Sequence, residues 1–206
     1  MGLPVLILGK SGSGKSASMR NFKPGEIGII NVLGKQLPFK SDFKYVVSDK
    51  YAKVKSALLN AKLTTLVIDD AGYLITNAYM NGQGDKKGSA VFEFYSQLAT
   101  NFWSLIEFIQ HELPEEKIVY LIMHEEENDI GTVKPKTIGR MLDEKVCVEG
   151  LFTIVLRSMK IESKYVFRTQ SNGFDVAKTP MDLFESNEID NDLKMVNKSI
   201  REYYGL

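Results

Sequence analysis

One cysteine and two histidines are all that a chain of 206 residues has of the side chains that most often bind zinc or carry redox chemistry. Cys147 has no partner for an intrachain disulfide, which fits a reducing compartment, and it is expected to be a small core residue rather than a nucleophile. With His111, His124 and Cys147 scattered along the chain, no zinc site is expected. No apolar run approaches the roughly 18 residues of a membrane span, and the opening run Leu3-Pro4-Val5-Leu6-Ile7-Leu8 lacks the charged leading region and cleavage site of a secretory leader. Leu6 stands where a myristoylation signal needs Ser or Thr. Together these absences point to the cytoplasm, with no membrane partner. An N-K-x-D base-reading motif is missing, which argues against a GTPase. So is an arginine-rich lid, since Arg20, Arg140, Arg157, Arg168 and Arg201 are dispersed, which argues against a small-molecule kinase. There is no internal repeat, linker or low-complexity stretch.

What is present is a hydrophobic fraction of 44% and a charged fraction of 25%, the composition of one globular domain large enough to bury a substantial core. Net charge is zero, but residues 1–62 carry +8 and the remainder −8. Such asymmetry is a feature of surfaces that face polyanions. Lys10 and Lys15 belong to the motif described next. Lys35, Lys40, Lys44, Lys50, Lys53 and Lys55 divide between two readings, nucleic-acid contact or the solvated faces of a strand edge and a helix.

Behind the first apolar run stands Gly9-Lys10-Ser11-Gly12-Ser13-Gly14-Lys15-Ser16, followed by Ala17. Gly9, Gly14, Lys15 and Ser16 satisfy G-x-x-x-x-G-K-[ST] after a strand and before a helix expected over residues 15–22, ended by Pro24-Gly25. Glycines there let the backbone turn its N–H groups onto phosphate oxygens, Lys15 reaches the terminal phosphates, and Ser16 ligates Mg²⁺. Nucleotide binding by residues 9–17 is the expectation. A second landmark is Leu63-Thr64-Thr65-Leu66-Val67-Ile68-Asp69-Asp70, a buried strand that delivers carboxylates to the end of the sheet where the loop sits. Asp69 is expected to hold Mg²⁺, and Asp70 to polarise the attacking water, with Asp49 as the other candidate. A third strand, Ile118-Val119-Tyr120-Leu121-Ile122-Met123, finishes at His124, placed to sense the terminal phosphate.

Around these landmarks strands and helices alternate. Strands are expected over residues 27–32 and 44–48. Tyr51, Val54, Leu58 and Ala61 mark a helix capped by Ser48 or Asp49. Residues 81–88 form a glycine-rich loop, either a DNA contact or a plain connection. Val91, Tyr95, Leu98, Phe102, Leu105 and Ile109, widened by Phe92, Phe94, Trp103 and Ile106, mark a long buried helix with room for a subunit contact. Residues 125–136 read as a long polar loop. Ile138, Met141 and Leu142 suggest a short helix. Residues 151–156 and 165–168 pair as a hairpin around Glu162-Ser163. Asn187 and Asp190 are expected to cap a last amphipathic helix with Ile189, Leu193, Val196, Ile200 and Tyr204 buried.

In this order the chain resembles the RecA-like P-loop ATPases of bacteriophages, often grouped with AAA-family nucleotide-binding proteins. The phrases GKSGSGKS, IINVLGKQLPFK, TTLVIDD, VYLIMHEE and KTIGRMLDEKV carry the likeness over nearly the whole chain. It implies an α/β fold, a RecA-like P-loop NTPase core with a mostly parallel central sheet flanked by helices, a late β-hairpin and a C-terminal helix. It also implies ATP and Mg²⁺ as cofactors, work on single-stranded DNA in phage recombination or replication alongside other phage proteins, and self-association into a ring or short filament. Catalysis would then rest on Lys15, Asp70 and His124, with Arg140 or Arg157 completing a neighbour's site. Two features depart from RecA. Only eight residues precede Gly9, so docking through a leading segment is not expected, and no glutamate follows the strands ending at Val32 and Ser48. That absence keeps open a nucleotide-gated assembly or partner-binding module with little hydrolysis.

Overall fold

β-branched runs alternate with helical stretches in the computed structural model, which describes residues 1–84, 86–139 and 146–206. The strands are β1 Leu3–Gly9, β2 Gly28–Asn31, β3 Tyr45–Val47, β4 Thr65–Asp69, β5 Ile118–Glu127, β6 Val133–Pro135, β7 Ile154–Ile161, β8 Lys164–Arg168 and β9 Glu188–Asp190. The helices are α1 Tyr51–Asn60, α2 Tyr73–Gly82, α3 Ser89–Glu112 and α4 Leu193–Tyr204, with 3₁₀ turns at Ser16–Asn21 and Val148–Leu151. The fold is α/β, with a mostly parallel mixed sheet flanked by helices. Its order is β3-β2-β4-β5-β1-β7-β8-β9, and β6 pairs with β5 off that path. Strands β3 through β7 run parallel, and β8, β9 and β6 are antiparallel to their neighbours.

Both faces of the sheet are covered, which is why the central strands are apolar without alternation. On β1 the side chains divide by the strand's period of two. Leu6 and Leu8 enter a core with Val54, Leu58, Leu74, Phe102, Leu105 and Ile109 of α1, α2 and α3. Val5 and Ile7 enter another with Met19, Phe22, Leu193, Val196 and Ile200, from the first 3₁₀ turn and α4.

Several expectations are corrected. Residues 15–22 do not make an α-helix: a six-residue 3₁₀ turn, Ser16–Asn21, ends at Phe22, whose backbone turns extended. Residues 125–136 are not a loop, because β5 continues to Glu127 and turns back as β6. Three successive glutamates can lie in a strand there because each has a cation: Glu125 takes Arg157, Glu126 takes Lys134 and Glu127 takes Lys10. Helix α2 has no counterpart in the expectations. Thr76, Asn77 and Gly82 are poor helix formers, and the buried Leu74 and Ile75 hold the segment against the core. On α3, Val91, Phe92 and Trp103 are exposed rather than buried. Cys147 is also exposed, and partial desolvation together with Glu149 raises its thiol pKa, so a core role is wrong while nucleophilic character stays low. Met141 and Leu142 of the suggested short helix lie outside the described residues. A hairpin of β7 and β8 turns at Glu162-Ser163 as expected, with Glu162 at φ 52°, but residues 157–161 rather than 151–156 pair with β8.

The last helix is capped by neither Asn187 nor Asp190. Ile189 lies in β9 and Tyr204 is exposed. Asp192 supplies the cap, accepting from the backbone N–H groups of Lys194 at 2.9 Å and Met195 at 3.3 Å, while its other oxygen accepts from Asn21 at 2.7 Å. Asp192→Ala is expected to lower stability by about 1 kcal/mol, read as a fall in the urea midpoint at unchanged slope.

Candidate functional site at the carboxyl edge of the sheet

Parallel register gathers the three landmarks. Gly9 at the end of β1 lies opposite His124 on β5, and Asn31 on β2 lies opposite Asp69 on β4. β5 sits between β1 and β4, and the N–H of Ala71 donates to Ile122 O at 2.7 Å, so Asp69 and Asp70 come level with the stretch of β5 just before His124. Residues distant in sequence thus meet along one edge, the place where open α/β sheets bind ligands.

The loop itself depends on its glycines. A Cβ at Gly9 would stand 2.4 Å from Ser13 Oγ and 2.5 Å from Ser158 O, so β7 packs directly on it. Gly12 and Gly14 have φ of 76° and 96°, the left-handed region that favours glycine. Nothing lies within 4 Å of where a Cβ at Gly12 would stand, so space remains on that side of the loop. From behind, Asn191 donates to Ser158 Oγ at 3.0 Å and Ser158 Oγ donates to Ser13 O at 2.8 Å, fixing the turn. Lys10 is exposed and pairs with Glu127 at 2.7 Å. Ser11 is exposed and Ala17 half-buried. Lys10, Ser11, Gly12 and Ser13 line a cavity of about 380 Å³ shared with Glu125 and Arg157.

Lys15 is buried, its Nζ donating to Gly9 O and Lys10 O, each at 2.7 Å. Burial lowers its pKa, and the carboxylates of Asp70, Glu125 and Asp69 work against that shift. Ser16 Oγ donates to Asp69 Oδ1 at 2.8 Å, across 53 positions of sequence. Asp69 is itself buried, and that desolvation pushes its pKa up to about 6, with the Ser16 bond opposing. The pair offers hard oxygen donors only, the chemistry Mg²⁺ prefers. Among the described residues no group of three or more His, Cys, Asp and Glu is placed to hold a metal ion. A cation taken by one serine, one carboxylate, phosphate oxygens and water fits this donor set, as Mg²⁺ does beside nucleotides.

Asp70 follows in a left-handed conformation, φ 61°, which turns its carboxylate away from the strand direction. Lys35 Nζ lies 3.0 Å from Asp70 Oδ2, and His124 Nε2 lies 3.6 Å from Asp70 Oδ1. Burial and then Lys15 lower the His124 pKa, while Asp70 opposes, so the imidazole is neutral at pH 7. Tyr73 stands edge-on to His124, ring centroids 6.0 Å apart, with Lys35 Nζ 5.3 Å above the Tyr73 ring.

The remaining candidates fall elsewhere. Arg157 makes two 2.9 Å bonds to Glu125 and a third at 3.2 Å to Asp175, a bonded set within its own chain that departs from an arginine reserved for a neighbour's site. Arg140 lies outside the described residues. Asp49 is bonded to Asn77 at 3.1 Å and paired with Lys50 at 3.3 Å. Of the basic group, Lys35 belongs to the site, Lys55 bonds Ser104, and Lys40, Lys44 and Lys53 are exposed. Sequence reasoning missed Lys35 and Tyr73; the signal available was IINVLGKQ, where Gly34 turns the chain at φ 66° just past a strand tip.

No protein-family model matches the chain, and no curated protein matches it.

The buried charge on Asp69 generates a stability prediction. Its pKa is raised on folding, so its contribution to stability is fully present below about pH 4 and is lost as pH rises through about 6. The loss amounts to at most about 3 kcal/mol at pH 7 in metal-free protein. Asp69→Asn keeps an acceptor for Ser16 and removes the charge. In the presence of a chelator it is expected to melt higher than wild type at pH 7.5, with the gap closing toward pH 4, as thermal scans across that range will measure.

Proposed function

We infer that this protein is an Mg²⁺-dependent ATP-binding protein and ATPase of the RecA-like P-loop kind, acting on single-stranded DNA in phage recombination or replication. The observation that carries the reading is the 2.8 Å bond between Ser16 and Asp69, because it joins the end of the glycine loop to the acid-tipped strand. A glycine turn alone has many uses. One whose final serine meets a buried carboxylate on a strand two places away has the parts that ATPases of this kind use for a nucleotide and its metal.

In this reading the N–H groups of residues 9–17 and Lys15 hold the phosphates. Lys15 would exchange two carbonyl partners for phosphate oxygens, which are stronger acceptors. Ser16 and Asp69 hold the metal, which when bound neutralises charge developing on the terminal phosphates. Asp70 orients the attacking water, and neutral His124 reports the γ-phosphate. Protomers that self-associate would bring a basic residue, Arg140 among them, to a neighbour's nucleotide. DNA would meet the basic surface of residues 1–62 and the glycine-rich stretch at residues 81–88, of which Asn81 and Gly82 close α2. Among the described residues no helix is long and apolar enough to span a membrane.

One observation favours the slower alternative, a nucleotide-gated assembly module. Lys35 engages one oxygen of Asp70, and an ammonium on the carboxylate weakens it as a base toward water.

Calorimetric titration with ATP and Mg²⁺ tests the reading. Wild type is expected to bind, Lys15→Ala to bind about a hundredfold more weakly, and single-stranded DNA to stimulate hydrolysis with an affinity that falls steeply with salt. Wild type that binds no ATP contradicts the nucleotide reading, and DNA affinity indifferent to salt contradicts the DNA part.

A further inference from the structure

Lys35 stands apart from the other lysines of the basic segment. Its backbone is anchored at the tip of β2, where Asn31 Nδ2 donates to Lys35 O at 2.6 Å and Gly34 makes the turn. From there the side chain crosses the end of β4, passes over the Tyr73 ring and places Nζ 3.0 Å from Asp70 Oδ2. Asp70 in turn faces His124, whose residue is the register partner of Gly9 at the mouth of the loop. Lys15 and Lys35 both feel the charge of Asp70 and Asp69, Lys35 through a direct bond to Asp70. Lys15 is buried and bonded to the loop, whereas the Lys35 side chain is more than half exposed and free to swing on its four-carbon stem. Its closeness also counts among the influences that lower the Lys15 pKa, which places both cations on one shared space.

We propose that Lys35 is a cation supplied in cis to the terminal phosphate of the nucleotide, and that its bond to Asp70 is the form it takes while no γ-phosphate is present. A γ-phosphate beyond the loop carries more negative charge than one carboxylate, so Lys35 transfers to it. Asp70 is thereby released to face water only when the nucleotide is a triphosphate. A diphosphate ends short of Lys35 and leaves the Lys35–Asp70 bond in place. This reading rests on the nucleotide assignment above and adds to it a residue that tells ATP from ADP.

The test compares affinities for ADP and for a non-hydrolysable ATP analogue, both with Mg²⁺, in wild type, Lys35→Met, Lys35→Arg and Lys40→Met. Lys35→Met keeps the apolar stem over Tyr73 and removes the charge, and circular dichroism checks that each variant is folded. Lys35→Met is expected to weaken triphosphate binding about tenfold or more and to leave diphosphate binding within twofold. Lys35→Arg should keep the preference largely intact. Lys40→Met, which removes a charge from the same exposed segment, should leave the ratio unchanged. A Lys35→Met protein with an unaltered ratio, whether both affinities hold or fall together, overturns the role given to Lys35 and leaves the nucleotide assignment standing. So does a ratio that Lys40→Met alters as much. Wild type that binds neither nucleotide overturns both.

Discussion

The hydrogen bond from Ser16 to Asp69 depends on more of the chain than any other contact in the site. It requires β1 to end at Gly9, the glycines to turn the chain back over the sheet, and β4 to reach the same edge with β5 between. It also requires Asp69 to be buried, and burial raises the cost of its charge, which is why the pKa moves up to about 6. A carboxylate in that condition gains from any cation brought beside it. Burying a carboxylate in this way costs stability, as is common where a site is prepared for charge that the protein itself does not carry.

Around that bond the charges form a second layer. Lys15 rests on loop carbonyls and Lys35 rests on Asp70, so each cation of the site has a partner that a phosphate could replace. Arg157 differs, being bonded to Glu125 and Asp175, two almost fully buried carboxylates with no such replaceable character. Together with Arg168 it ties the β7–β8 hairpin to β5, a bracing role that holds the back of the glycine loop in register. Acidic partners of this kind also explain how a run of three glutamates remains a strand.

Much of this arrangement was legible in the sequence because its signals are local. The apolar runs ending in Gly9, Asp69 and His124 marked three strands and the edge they share, and the glycine pattern marked the turn between. What was not legible depends on partners distant in sequence. β6 exists because Glu125, Glu126 and Glu127 each meet a cation, and α2 exists because Leu74 and Ile75 are buried, neither of which a window of sequence displays. The cap of α4 fell on Asp192 because β9 occupies the residues that otherwise look like its first turn. Lys35 resembled its surface neighbours in composition, and only the register of β2 against β4 brings it to Asp70.

The central claim is that Ser16 and Asp69 exchange their mutual bond for a shared metal when nucleotide binds the loop. A crystal structure with Mg²⁺ and a non-hydrolysable ATP analogue tests it most directly. The account predicts phosphates along residues 9–17, Ser16 Oγ bound to the metal, and Asp69 facing it directly or through water. An analogue bound away from the loop, or a Ser16–Asp69 bond unchanged beside it, contradicts the account.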